Sequence, residues 1–223
     1  MILFGGIGGG IAGPEQWEWN GAGWTRRSIG PAPAAIHSSM TFDAARSMVV
    51  LYGGAVSQGA SFRSETWEWD GASWRQRTPP SDPGGRNGHV MAFDSLRRRV
   101  VLFGGYRSDN AGPRDDTWEY DGTTWMLRAS AHSPAGRFGA CAAYDARRGV
   151  VVVFGGRDVL GAANKHVRGD TWEWDGTDWH QGPDGPPARR SCALVYDGAG
   201  KAMVLFGGAT ADGFAPGDTW IYR

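Results

Sequence analysis

The sequence predicts an all-β propeller of about five four-stranded blades. Three observations predict it: a repeat of close to fifty residues, a double glycine at one fixed point of that repeat, and a tight-turn dipeptide at another. Leu3-Phe4-Gly5-Gly6 returns as Leu51-Tyr52-Gly53-Gly54, Leu102-Phe103-Gly104-Gly105, Val153-Phe154-Gly155-Gly156 and Leu205-Phe206-Gly207-Gly208, with the first glycines 48, 51, 51 and 52 residues apart. A fixed period of this size marks a repeat architecture in which each copy is one supersecondary unit. Such a unit cannot bury both faces alone, so its neighbours must supply the rest of the core.

Each unit reads as four short strands. Strand a ends in an aromatic and Asp, as in Met40-Thr41-Phe42-Asp43, Met91-Ala92-Phe93-Asp94, Ala142-Ala143-Tyr144-Asp145 and Leu194-Val195-Tyr196-Asp197. Strand b is the β-branched run into Gly-Gly. Strand c is Thr66-Trp67-Glu68-Trp69 and its copies at Thr117, Thr171 and Thr219, and strand d carries Trp24, Trp74, Trp125 or Trp179. β-Branched and aromatic runs punctuated by turn residues argue for strands throughout. Between c and d stand Asn20-Gly21, Asp70-Gly71, Asp121-Gly122 and Asp175-Gly176, dipeptides suited to the positive φ of a tight hairpin. Period-2 alternation puts Trp67 and Trp69 on one face and Thr66 and Glu68 on the other. The indoles are expected to lie over the double-glycine backbone of the neighbouring unit, where the missing Cβ leaves room.

The 223 residues read as a single domain with units at about 1–28, 36–78, 87–128, 138–181 and 190–223. The first lacks strand a and the last lacks strand d. Two readings stay open: five blades that close with two imperfect members, or an arc of a larger ring. Unpaired edges at the join favour self-association.

On the Gly-Gly after strand b, the aromatic-Asp after strand a and the spaced aromatics of c and d, the chain resembles the kelch repeat family over essentially its whole length. That family's Arg-x-x-His opening of strand a is intact at Arg86 to His89; Arg137 is followed by Ala140 and Arg189 by Cys192, and the first full unit has Ala35 and Ser38. The resemblance implies a propeller. Some kelch-like propellers are enzymes, including copper-radical sugar oxidases and sialic acid mutarotases. A copper site would need a histidine and tyrosine cluster, and His37, His89, His132, His166 and His180 are scattered without metal-ligand spacing. His89 is expected to be structural. No cofactor is expected, and the carboxylates Glu68, Glu119 and Glu173 recur unit by unit as structural positions do.

With 23 basic and 23 acidic residues the formal charge is zero, which offers no strong field for nucleic acid or an anionic membrane. No apolar run is long enough to span a bilayer, and residues 1–13 lack the basic and apolar regions of a signal peptide. Cys141 and Cys192 suggest no disulfide framework. Counted from the Asp of strand a they face opposite ways on neighbouring blades, and on that parity a bridge between them is not expected.

Loop lengths mark the candidate working face. The a–b and c–d spacings are constant, whereas the distance from the first glycine to the first Trp of strand c runs 12, 14, 14, 17 and 13. In an up-and-down blade the b–c and d–a connections share one end, so variation gathers there, where repeat scaffolds often carry binding. The b–c loops offer Phe62, Arg63, Tyr106, Arg107, Arg114, Arg157, Lys165, His166, Arg168 and Phe214. Arg86, Arg137 and Arg189 open strand a at the same end, nearer the axis, with pairing to Asp116, Asp170 or Asp218 as the favoured alternative to partner contact. The leading expectation is a non-enzymatic module binding a protein or peptide through this face. A carbohydrate-binding or carbohydrate-acting propeller and a structural spacer in a larger multidomain protein are the other readings.

Overall fold

The computed structural model describes residues 1–223 except 6, 9, 10, 13, 14, 28, 29, 34, 35, 56–61, 108–111 and 159–165, and the side chains of 7, 8, 11 and 12. It is all-β, and among the described residues five antiparallel sheets of three or four strands form a five-bladed propeller arrangement, with two further two-stranded ribbons in the loops. Blade I has strands b (Ile2–Phe4), c (Gln16–Trp19) and d (Trp24–Arg27). Blade II runs a (Ser39–Asp43), b (Met48–Tyr52), c (Thr66–Trp69), d (Trp74–Arg77). Blade III runs Val90–Asp94, Arg99–Phe103, Thr117–Tyr120, Trp125–Arg128, and blade IV Cys141–Asp145, Val150–Phe154, Thr171–Trp174, Trp179–Gln181. Blade V has a (Ala193–Asp197), b (Ala202–Phe206) and c (Thr219–Tyr222). Registers repeat from blade to blade: Trp69 faces Trp74, Tyr120 faces Trp125 and Trp174 faces Trp179 across the c–d pair. The side-chain oxygen of the Asp or Asn in each turn closes this hairpin, Asp70 Oδ1 accepting from the amides of Ala72 and Ser73 at 2.9 and 2.8 Å and Asn20 Oδ1 from those of Ala22 and Gly23 at 2.9 and 3.0 Å.

The indoles do not cover the double glycines. Strand-d Trp74, Trp125 and Trp179 lie on the last aromatic of the preceding blade's strand b, with ring centroids 4.8 Å from Phe4, 5.2 Å from Tyr52 and 4.9 Å from Phe103. Each donates its indole N–H back to that blade's strand c: to Gln16 Oε1 at 2.9 Å, Thr66 Oγ1 at 3.0 Å and Thr117 Oγ1 at 2.8 Å. A tryptophan therefore packs where apolar side chains await it and its one donor finds a partner, as a buried indole requires. The second aromatic of strand c reaches the preceding blade's glutamate, Tyr120 to Glu68 at 3.3 Å, Trp174 to Glu119 at 3.0 Å and Tyr222 to Glu173. Those glutamates also pair with arginines of their own blade, Glu68 with Arg46 and Arg77 and Glu173 with Arg148.

What fills the space over the glycines is main chain. The second glycine donates its N–H to the carbonyl of the next blade's opening arginine: Gly54 to Arg86 at 2.9 Å, Gly105 to Arg137 at 2.8 Å and Gly156 to Arg189 at 2.9 Å. A Cβ on the first glycine would stand 2.7, 2.6 and 2.3 Å from those same oxygens at Gly53, Gly104 and Gly155. Both glycines also hold positive φ, which side chains rarely tolerate.

Cys141 and Cys192 are joined in a disulfide, with Cα atoms 5.7 Å apart. The two cysteines do point opposite ways within their own sheets, contrary to what that parity implies for a bridge. Neighbouring blades meet with opposite faces, so side chains pointing opposite ways within their own sheets point at each other across the joint. The bridge ties strand a of blade IV to the residue leading into strand a of blade V.

Two outcomes follow for chemical denaturation. Gly104→Ala should cost roughly 3 kcal/mol or more, since left-handed strain alone is worth about 1–3 kcal/mol and a clash with the Arg137 carbonyl adds to it. Gly71→Ala, also at positive φ but with nothing within 4 Å, should cost less. Cys141→Ser/Cys192→Ser, or reduction of the wild type, should lower stability by about 2–4 kcal/mol, the usual worth of a bridge closing a loop of this length; equal unfolding midpoints with and without reductant would argue against it.

Candidate functional site: the axial mouth

In blades II to V two positions pair beside the mouth of the propeller at the b–c and d–a end. One is the residue after Gly-Gly and the other is the residue after the opening arginine, a place that Ala35 holds in blade II. They pair with each other antiparallel: Ile36 with Ala55, Phe138 with Arg157 and Arg190 with Ala209 as single bridges, and Asn87 with Tyr106 in a two-residue ribbon that also pairs Arg86 with Arg107. One residue further on, His37, Gly88, Gly139 and Ser191 all take positive φ between 54° and 65°. Their backbones link blade to blade, Gly88 N to His37 O at 3.0 Å, Gly139 N to Gly88 O at 2.7 Å and Ser191 N to Gly139 O at 2.7 Å. His37 and Ser191 bear this strain with side chains attached, which the surrounding backbone ladder enforces.

This frame surrounds a cavity of about 300 Å³ lined by Phe62, Tyr106, Phe138, Arg157 and Arg190, with His37, Asn87 and Ser191 at its floor and rim. The rings of Phe62, Tyr106 and Phe138 follow one another at 6.1 and 6.0 Å in edge-on contacts. Arg157 sits over the Phe138 ring, 4.6 Å from its centroid, in a cation–π contact. The Nε atoms of Arg157 and Arg190 are buried and hydrogen-bonded to nothing among the described residues, and no carboxylate there pairs with either side chain. Burial, together with the neighbouring positive charge of Arg190, pulls the Arg157 guanidinium below its ordinary pKa. Two like charges with unspent donors, walled by aromatic rings, make a receptor for an anionic group.

The opening arginines serve the frame. Arg86, Arg137 and Arg189 are fully buried and grip Asp116, Asp170 and Asp218 through both terminal nitrogens, at 2.7 and 2.8, 2.7 and 2.8, and 2.6 and 3.1 Å. Each also donates to the carbonyl of the first glycine of its blade, Gly104, Gly155 or Gly207. Hydrogen bonds from Arg189 and from the Trp220 indole hold the Asp218 carboxyl down at about 2. For Asp116 and Asp170 burial alone would raise the carboxyl, but the paired guanidinium outweighs it and keeps both below the usual range.

The other loop residues lie further out. Arg63 pairs with Glu65, and Arg168 and His166 with Asp158. The main chains of Arg63, Arg114 and Arg168 bridge Gly-Gly to the opening arginine. Arg107 lies against Gly84, Phe214 is exposed in a turn held by Thr210 and Asp212, and Lys165 lies outside the described residues. Of the expected residues, then, Phe62, Tyr106 and Arg157 converge. Phe138, Arg190 and Asn87 complete the mouth and were missed. Their signal was present in the repeat: the residue after the opening arginine is Asn87, Phe138 and Arg190 in successive blades while the arginine beside it recurs.

His89 is buried beside Tyr52, ring centroids 5.6 Å apart. Burial first, and the nearby Arg86 charge second, push its pKa down from 6.5 to about 3. A histidine kept neutral in the fold contributes stability that is whole above its unfolded pKa and is lost as the pH falls from 6.5 towards 3. The thermal midpoint of the wild type should therefore fall more steeply over that window than that of His89→Ala, which carries the residue blade IV has at Ala140; parallel profiles would refute the assignment.

A family profile described as the KLHDC2/KLHL20/DRC7 Kelch-repeats domain matches residues 37–223. Multiple epidermal growth factor-like domains protein 8 from Homo sapiens is 36% identical over 111 residues, and its Mus musculus counterpart 35% over 113. Those matches cover 47% of this chain and 4% of either protein. The solved structure of YjhT superposes with a TM-score of 0.78 at 16% identity, over 99% of this chain and 77% of that one, a likeness of fold.

Proposed function

Because the chain belongs to the kelch-repeat family, we propose that it is a non-enzymatic interaction module whose axial mouth binds a carboxylate-bearing segment of a protein or peptide. The observation that carries this reading is the pair Arg157 and Arg190, two partly buried guanidiniums whose Nε donors meet no acceptor among the described residues. An entering carboxylate would supply the acceptor and relieve the repulsion between the two charges, while Phe62, Tyr106 and Phe138 cover its apolar flank. A neutral chain overall can hold such a site because only the local field acts at this distance.

Displayed random peptides panned on the protein should yield sequences rich in Asp, Glu or a free terminal carboxylate next to an apolar residue. Arg157→Ala and Arg190→Ala should each weaken a selected peptide about tenfold or more, as loss of one partner of a desolvated charge pair does. Neutral winners that bind both variants like the wild type would refute the proposal. Saturable binding on a glycan array with no peptide selected would favour the carbohydrate reading instead.

A further inference from the structure

Arg157 and Arg190 together carry more charge than a single carboxylate can match. Elsewhere in this chain one buried guanidinium takes one carboxylate: Arg86, Arg137 and Arg189 each hold a single Asp, Asp116, Asp170 or Asp218, through both terminal nitrogens. At the axial mouth two guanidiniums line one cavity of about 300 Å³, and neither has an ion pair among the described residues. Each keeps a buried Nε without an acceptor there. One carboxylate would leave the second guanidinium uncompensated beside the rings of Phe62, Tyr106 and Phe138, where an unpaired charge is costly.

From this we infer that the acidic group received at the mouth is a dianion, a phosphate monoester on a side chain of the partner segment; this rests on the mouth being the binding site. A phosphorylated residue brings roughly −1.5 to −2 of charge at neutral pH and three strong acceptor oxygens. Two of those oxygens serve the two guanidiniums, each a planar fork whose geometry matches phosphate. For the third, the Asn87 amide and the Ser191 hydroxyl stand at the floor and rim of the same cavity, and neither side chain is hydrogen-bonded among the described residues.

The backbone holds these groups in place before any ligand arrives. Arg190 exchanges both main-chain hydrogen bonds with Ala209, at 2.9 and 2.8 Å, and Arg157 does the same with Phe138, at 2.9 Å each. Ser191 is fixed at φ 54° and donates its N–H to Gly139 O at 2.7 Å. A site whose donors are already placed spends little of its binding energy on ordering them. The row of Phe62, Tyr106 and Phe138, with rings 6.1 and 6.0 Å apart, gives apolar surface beside the cations for the residues that flank the phosphate. That surface suits a protein segment better than a small free phosphate.

The test probes the whole chain with degenerate peptides whose fixed centre is phosphotyrosine, sulfotyrosine, glutamate or a pair of glutamates. Tyrosine esters are used because sulfate matches phosphate in shape but carries a single charge. The tightest phosphotyrosine peptide, resynthesised with each centre and titrated by anisotropy at pH 7.5, is expected to bind about tenfold or more tighter than its sulfotyrosine twin. That ratio should fall towards unity by pH 5, since the phosphate takes up its second proton near pH 6 while the sulfate does not. The titratable and charged groups that line the mouth are His37, Tyr106, Arg157 and Arg190, with Asp158, His166 and Arg168 further out; they act on both peptides alike, so the ratio isolates the phosphate. Arg157→Ala and Arg190→Ala should each bring the ratio near unity at pH 7.5, a change of preference that loss of folding cannot mimic. No saturable phosphotyrosine binding, a wild-type ratio near unity, or equal affinity for the glutamate-pair peptide would each overturn the inference. So would inorganic phosphate that displaces the peptide at a comparable concentration, which would assign the mouth to a small phosphate. A glutamate peptide that needs both arginines would still support the mouth as a binding site, so the two readings fail separately.

Discussion

The rest of the structure depends on one contact: a main-chain carbonyl of one blade lodged against the side-chain-free backbone of the blade before it. The Arg86, Arg137 and Arg189 carbonyls each enter a double glycine, accepting the second N–H and occupying the space a Cβ would take at the first. The same arginines use their side chains within their own blade, tying the lead-in of strand a to the Asp before strand c and to the first glycine's carbonyl. One residue type thus locks the blade internally through its guanidinium and locks it to its neighbour through its backbone. Buried charge is tolerated because every such guanidinium has a bidentate carboxylate.

Around this clasp the other repeated residues take fixed duties. Indoles of strand d and the second aromatics of strand c close the outer part of each joint, donating to Thr, Gln or Glu of the preceding blade. With the joint so fully specified, the positions beside it are free to differ without loss of fold. The residues after Gly-Gly and after the opening arginine are of this kind, and they face the axis. A binding site can then change character from blade to blade, aromatic at Tyr106 and Phe138, cationic at Arg157 and Arg190, on an unchanging frame.

The open ends follow the same logic in reverse. Where a joint has no neighbour, its standard residues lie bare: Trp24 is 45% exposed and Phe206 is 54% exposed, although their counterparts Trp125 and Phe103 are buried. Among the described residues no helix is long and apolar enough to cross a membrane. In blade V, Ile221 and Gly200 stand where blades II and IV pair a strand-c glutamate with an a–b turn arginine, Glu68 with Arg46 and Glu173 with Arg148.

By itself the sequence determined the number of repeats, the strands, their c–d turns and the end of the propeller where variation gathers, because each is a local pattern repeated in register. Period-2 alternation even placed Thr66 and Glu68 opposite Trp67 and Trp69. Only the tertiary structure decided what each face meets. It put carbonyls rather than indoles over the glycines, and it joined Cys141 to Cys192, because contact between blades follows the rotation about the axis and not the parity within a strand. For the same reason Phe62, Tyr106, Phe138, Arg157 and Arg190, distant in the chain, share one mouth: strand order brings them to the same end, and the ring of left-handed residues from His37 to Ser191 turns them towards one another.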